Sequence, residues 1–222
     1  PSSRLDGAEH MNSLLDITAR RAAIDPEAIA FHIVETGEEI DYRTLEHRSA
    51  LAAGMLENRG IAEGDRVAIL CRNRIEFFEL LFACAKLGTI LVPLNWRMPT
   101  AELVQLLEDC TPVLMVTGAE DRETAATASA PLNLPQLDLD SDYTSLRDAA
   151  RPHPGRGDWP GSQCWYLIYT SGTTGKPKGV IQTYGMALVN SINIGQAIGL
   201  RGTDSTLNFL PLFHTAGINL HT

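Results

Sequence analysis

Four short stretches of the chain, residues 67–71, 89–94, 113–117 and 165–169, are apolar at almost every position. A strand with one wet face alternates apolar and polar residues. These stretches do not alternate, so each is expected to be a strand buried on both faces. Between the first two lies NRIEFFELLFACAKLG, residues 73–88. Here Asn73 is placed to cap a buried helix, with Glu76 in the first turn, Lys86 in the last and Gly88 at the stop. Between the second and third lies TAELVQLLEDC, residues 100–110, with Thr100 as cap and Leu103, Leu106, Leu107 and Cys110 on one helical face.

Strand and helix thus alternate with crossovers too long for hairpins, which favours parallel pairing. The expected fold is layered α/β, a largely parallel sheet flanked by helices. Upstream, residues 31–34 and 38–42 flank Thr36-Gly37 and predict a hairpin, followed by an amphipathic helix carrying Leu45, Ala52 and Leu56 and ending near Gly60. Residues 130–161 are polar and contain several prolines, and are expected to form a long connection with one short helix.

Composition narrows the function classes. The chain has 222 residues, 44% of them hydrophobic, and a formal net charge of −9. That balance argues against a basic nucleic-acid binder, so any anionic ligand must be held locally. Cys71, Cys84, Cys110 and Cys164 form no CxxC pair or zinc-like cluster. They are expected to be buried, reduced thiols, with no metal site and a cytoplasmic setting. The N-terminal residues have no signal-peptide core, and no stretch is apolar for the roughly 18 residues of a membrane span.

The segment YTSGTTGKPKGV, residues 169–180, concentrates the candidate chemistry. Gly172 and Gly175 let the backbone approach a ligand closely, so that successive N–H groups can converge on phosphate oxygens. Thr170, Ser171, Thr173 and Thr174 add rotatable hydroxyl donors, and Lys176 and Lys178 add charge. It is not the phosphate loop common to NTPases. Thr170 stands where that pattern needs glycine, and Pro177 follows Lys176 where it needs serine or threonine. An apolar, β-branched run resumes at residues 179–181, so the loop is expected to join two buried strands.

At these residues the chain closely resembles the acyl-adenylate-forming superfamily, which includes acyl-CoA synthetases, luciferase and the adenylation domains of peptide synthetases. The resemblance extends to residues 64–95 and to PLFHTAG, residues 211–217. WRMPTAELVQLL, residues 96–107, looks more like acyl- or aryl-CoA ligases than amino-acid-activating domains. The resemblance implies ATP with Mg²⁺ and a small carboxylic acid, fatty or aromatic, giving acyl-AMP and pyrophosphate. It implies coenzyme A as the second substrate. It places the β- and γ-phosphates on residues 170–176 and gives His214 an orienting role where carboxylate, phosphate and thiol meet. One departure is Tyr184 after Gln182-Thr183, where many relatives have histidine.

Such ligases are more than twice this length. The resemblance therefore implies that residues 1–222 are an incomplete N-terminal domain, lacking the later motifs and the small C-terminal domain. This piece alone is expected to be inactive and to form a homo-oligomer through the apolar surface so exposed. An amino-acid adenylation domain and a non-catalytic nucleotide-binding or oligomerising module stay open as alternatives.

Overall fold

The four apolar stretches are strands lying in one sheet. The computed structural model describes residues 13–170 and 178–219. The strands are β4 (Arg66–Leu70), β5 (Ile90–Pro93), β6 (Leu114–Thr117) and β9 (Cys164–Thr170). With β7 (Gln136–Asp138) and β10 (Lys178–Thr183) they form a six-stranded sheet in the order β10-β9-β5-β4-β6-β7. All pairings are parallel except that of β10 with β9.

Successive strand residues serve opposite faces, which is why the stretches do not alternate in polarity. Val67, Ile69, Leu91, Leu114 and Val116 join a core with Ala52, Phe77, Leu80 and Leu81 from helices α2 (Tyr42–Asn58) and α3 (Ile75–Leu87). Ala68, Leu70, Val92 and Met115 join a second core with Leu103, Leu106 and Leu107 of α4 (Thr100–Cys110) and Ala125 of α5 (Arg122–Ser129). Helices therefore cover both faces of the sheet. The helical face expected of residues 100–110 is buried as expected, at Leu103, Leu106, Leu107 and Cys110.

Outside the sheet, β1 (Ser13–Leu15) and α1 (Ile17–Ile24) lead into the expected hairpin, β2 (Ile29–Ile33) with β3 (Glu38–Asp41). Asp41 caps α2 by accepting from the Thr44 N–H at 2.7 Å.

Several local expectations are corrected. Neither Asn73 nor Thr100 is the helix cap. Arg74 occupies the N-cap of α3 without a side-chain bond to the helix, and Pro99 that of α4, with Thr100 the first helical residue. Lys86 does stand in the last turn of α3, but it is 1% exposed. Its ammonium lies 2.7 Å from Asp16 and 2.7 Å from Glu46. Residues 130–161 are more ordered than a connection. They contain β7, α6 (Tyr143–Asp148) and β8 (Asp158–Pro160), and β8 pairs antiparallel with β1. β7 and β8 have three residues each, too few to display a period in sequence. After the sheet is complete, β10 leads into α7 (Tyr184–Ile198), and the short α8 (Thr215–Asn219) is the last described element. Finally, β10 is not buried: Val180 is 41% and Ile181 55% exposed on this edge strand. Cys71, Cys84 and Cys110 are buried as expected, whereas Cys164 is only half-buried; all four are free.

Candidate functional site

Ligands of open α/β sheets gather at the carboxyl ends of parallel strands, at points where neighbouring strands send their connections to opposite faces, as β4 does into α3 and β6 into α5. Three features meet on that edge. The first is the mouth of the candidate phosphate loop. Thr170 ends β9 and Lys178 begins β10, and the two are cross-strand partners, so the intervening loop opens at the carboxyl end of β9. Both are exposed. Ser171, Gly172, Thr173, Thr174, Gly175 and Lys176 lie outside the described residues.

The base of this mouth is anchored sideways. The Tyr169 hydroxyl donates to Asp109 Oδ2 on α4 at 2.5 Å. Burial, and then that carboxylate, push the phenol well above its ordinary range, so it keeps its proton and remains the donor.

The second feature is the segment carrying His214. Leu212 and Phe213 are buried, while His214 is exposed. The His214 N–H donates to the Pro211 carbonyl at 3.1 Å and opens a turn into α8. Gly217 is required here, because a Cβ would stand 2.3 Å from the Pro211 oxygen. Four asparagine side chains hold this stretch. Asn73 bonds the Leu210 carbonyl and the Leu212 N–H. Asn208 donates to Gly217 and Asn190 to Asn219, both to backbone carbonyls at 3.0 Å. The Asn219 side chain in turn accepts from the buried Tyr166 hydroxyl on β9. The strand entering the candidate loop and the helix after His214 are thereby joined directly.

The third feature is a cationic, aromatic shelf beyond β4 and β5. The Arg72 guanidinium lies 3.4 Å and that of Arg97 4.2 Å from the Trp96 ring centre. Trp96 meets Phe213 edge-on at 6.1 Å, and Phe213 contacts the His214 ring at 4.5 Å. Arg72 also faces Asp121 at 3.3 Å.

His214 and the mouth of the loop were legible as motifs, and the fold puts them on one edge. Asn73, Arg72 and Arg97 were not identified as site residues. Their position a few residues past the ends of neighbouring parallel strands was the available signal. Tyr184, the departure from the usual histidine, is fully buried and packs on Trp159 and Trp165 at 5.3 and 5.4 Å. Among the described residues there is no group of side chains that could hold a metal, and no helix long and apolar enough to cross a membrane.

The AMP-binding enzyme family matches residues 18–222. A feruloyl-CoA synthase of an Amycolatopsis species is 34% identical over 203 residues, covering 90% of this chain and 39% of the relative. An indoleacetate–CoA ligase of Aromatoleum aromaticum is 35% identical over 211 residues, covering 91% and 41%. The chain thus spans about two fifths of the length of the curated relatives it matches. Among solved structures, the inhibitor-bound N-terminal domain of FACL13 from Mycobacterium tuberculosis superposes with a TM-score of 0.86 at 30% identity, covering 92% of this chain and 52% of that one. The o-succinylbenzoate coenzyme A synthetase of Bacillus subtilis, in complex with ATP and magnesium ion, gives 0.82 at 27% identity, covering 94% and 54%.

Proposed function

The chain belongs to the AMP-binding enzyme family, and we propose that it is the N-terminal portion of a ligase that activates a fatty or aromatic acid with ATP and passes it to coenzyme A. The observation that carries this reading is the shared sheet edge. The donor-rich loop opens between Thr170 and Lys178 at the carboxyl end of β9, and the segment bearing His214 lies past the carboxyl ends of β4 and β5, bonded by Asn73 and packed on Trp96. The relatives named as feruloyl-CoA synthase and indoleacetate–CoA ligase support an acid and coenzyme A as substrates.

In the proposed first step, a carboxylate oxygen attacks the α-phosphorus of ATP and the bond to the β-phosphate breaks, releasing pyrophosphate. In the second, a thiol attacks the acyl carbon and AMP leaves. Charge gathers on phosphate oxygens in the first transition state, so preorganised donors are the effective device. Thr170, Ser171, Gly172, Thr173, Thr174, Gly175, Lys176 and Lys178 fit that demand by their chemistry, as hydroxyls, close-approach glycines and ammonium groups. Mg²⁺ bound with the nucleotide supplies further charge neutralisation. His214, exposed on the same sheet edge, orients the reacting groups by hydrogen bonding. Arg72 and Arg97 draw polyanionic substrates to this edge.

Catalysis belongs to the whole ligase, in a cytoplasmic setting, and the 222-residue chain alone holds at most a weak ATP site. Without the remainder it self-associates through the apolar surface around residues 180–209. Calorimetry with Mg·ATP tests the site. Lys176→Ala combined with Gly175→Ala is expected to abolish the binding heat while circular dichroism stays unchanged. Equal affinity in that variant would remove the loop from the nucleotide site.

A further inference from the structure

Asn73 follows β4 at the point where the chain turns into α3, yet its side chain bonds neither element. Its Nδ2 donates to the Leu210 carbonyl at 2.8 Å, and its Oδ1 accepts from the Leu212 N–H at 3.1 Å. Both halves of the amide are engaged, which fixes its orientation. It grips two backbone groups two residues apart, across 137 and 139 residues of sequence. This is a side chain used as a backbone splint.

The turn beyond this splint has little freedom. The Pro211 carbonyl, between the two gripped positions, accepts from the His214 N–H, and the His214 carbonyl accepts from Gly217 at 3.0 Å. Phe213 is buried against Trp96. Once residues 210–212 are placed, the direction in which His214 leaves the turn is largely determined. Asn73 is itself exposed, so its bonds compete with water and add little to global stability. An exposed amide that adds little stability but dictates a neighbouring turn is suited to positioning rather than to holding the fold.

We propose that Asn73 is a positioning residue for His214, fixing the direction in which its imidazole leaves the turn at the carboxyl edge of the sheet. This rests on the reading of His214 as a reaction-site group. Asn73→Ala in the 222-residue chain is expected to speed hydrogen exchange at the Leu212 amide roughly fivefold or more, the loss of one such bond. It is also expected to shift or split the His214 ring signals in NMR spectra, while the amides of Val67 and Leu91 keep their protection. Asn73→Asp retains an acceptor for Leu212 and is expected to restore that amide's protection.

Unchanged Leu212 exchange in Asn73→Ala would overturn the proposal. So would faster exchange with undisturbed His214 ring signals, which would make Asn73 a stitch and no more. Addition of Mg·ATP separates this from the functional reading. The nucleotide is expected to move the His214 ring signals of the unsubstituted chain. If it binds without moving them, the reaction-site reading fails, and the exchange and ring data still decide whether Asn73 sets the turn.

Discussion

At Lys86 one ammonium serves two carboxylates inside the protein. Asp16 begins α1 and Glu46 lies on α2, so the lysine joins three helices at a site that is 1% exposed. Losing one member of a buried ion cluster is far more costly than losing a surface pair, because the remaining charges stay desolvated. Lys86→Met is expected to destabilise the chain by about 3–5 kcal/mol, read as a lower urea midpoint with an unchanged slope. A loss below about 1 kcal/mol would put the cluster in the class of surface pairs. Sequence placed Lys86 correctly in the last helical turn but gave no sign of its burial, since Asp16 is 70 residues away. The cysteines were legible for the opposite reason. Their apolar neighbours are local in sequence, and burial raises the Cys71 and Cys84 thiols to about 12 and Cys110 to about 11. At neutral pH these three stay protonated and act as small apolar groups.

Helix α2 shows how an element can be recognised without its tertiary constraints. Its buried face includes Leu45, Ala52 and Leu56, as the pattern indicates, yet Gly54 in its interior costs about 1 kcal/mol of helix propensity relative to alanine. The structure supplies the reason. A Cβ at Gly54 would stand 1.9 Å from the Arg151 carbonyl oxygen, where the polypeptide crosses the helix and His153 donates to Ala50 at 2.9 Å. Gly54→Ala is therefore expected to lower stability by roughly 1–3 kcal/mol despite the better propensity, because backbone must move. A thermal melt decides the sign, and a raised midpoint would show that the crossing segment gives way. The same limit explains Asn73, which sits one residue before the N-cap position held by Arg74 and whose side chain bonds a distant turn. It also explains β7, which becomes a strand only because β6 offers it an edge.

For the whole molecule, apolar exposure is uneven. On α7, Met186 is 53%, Val189 56% and Ile192 48% exposed, and Leu207 and Phe209 beyond it are 64% and 74% exposed. A helix apolar on nearly all sides is normally enclosed. Only Tyr184 and Ala187 of α7 are buried among the described residues. A surface of this kind drives association in water. Light scattering of the isolated chain is expected to show oligomers that Val189→Lys with Ile192→Glu dissolves. An unsubstituted chain that stays monomeric at high concentration would count against self-association.

The sequence alone determined the alternation of strands and helices, the two-sided burial of the central sheet and the donor-rich composition of residues 170–178. Each of these is written in neighbours a few positions apart, where helical and strand periods and loop composition act. Only the tertiary structure decided that Lys86 is enclosed, that β7 and β8 find strand partners, that Asn73 serves a distant turn and that His214 stands on the sheet edge where the loop opens. Those outcomes depend on groups separated by as many as 139 residues. Their energies exist only once the sheet has brought them together.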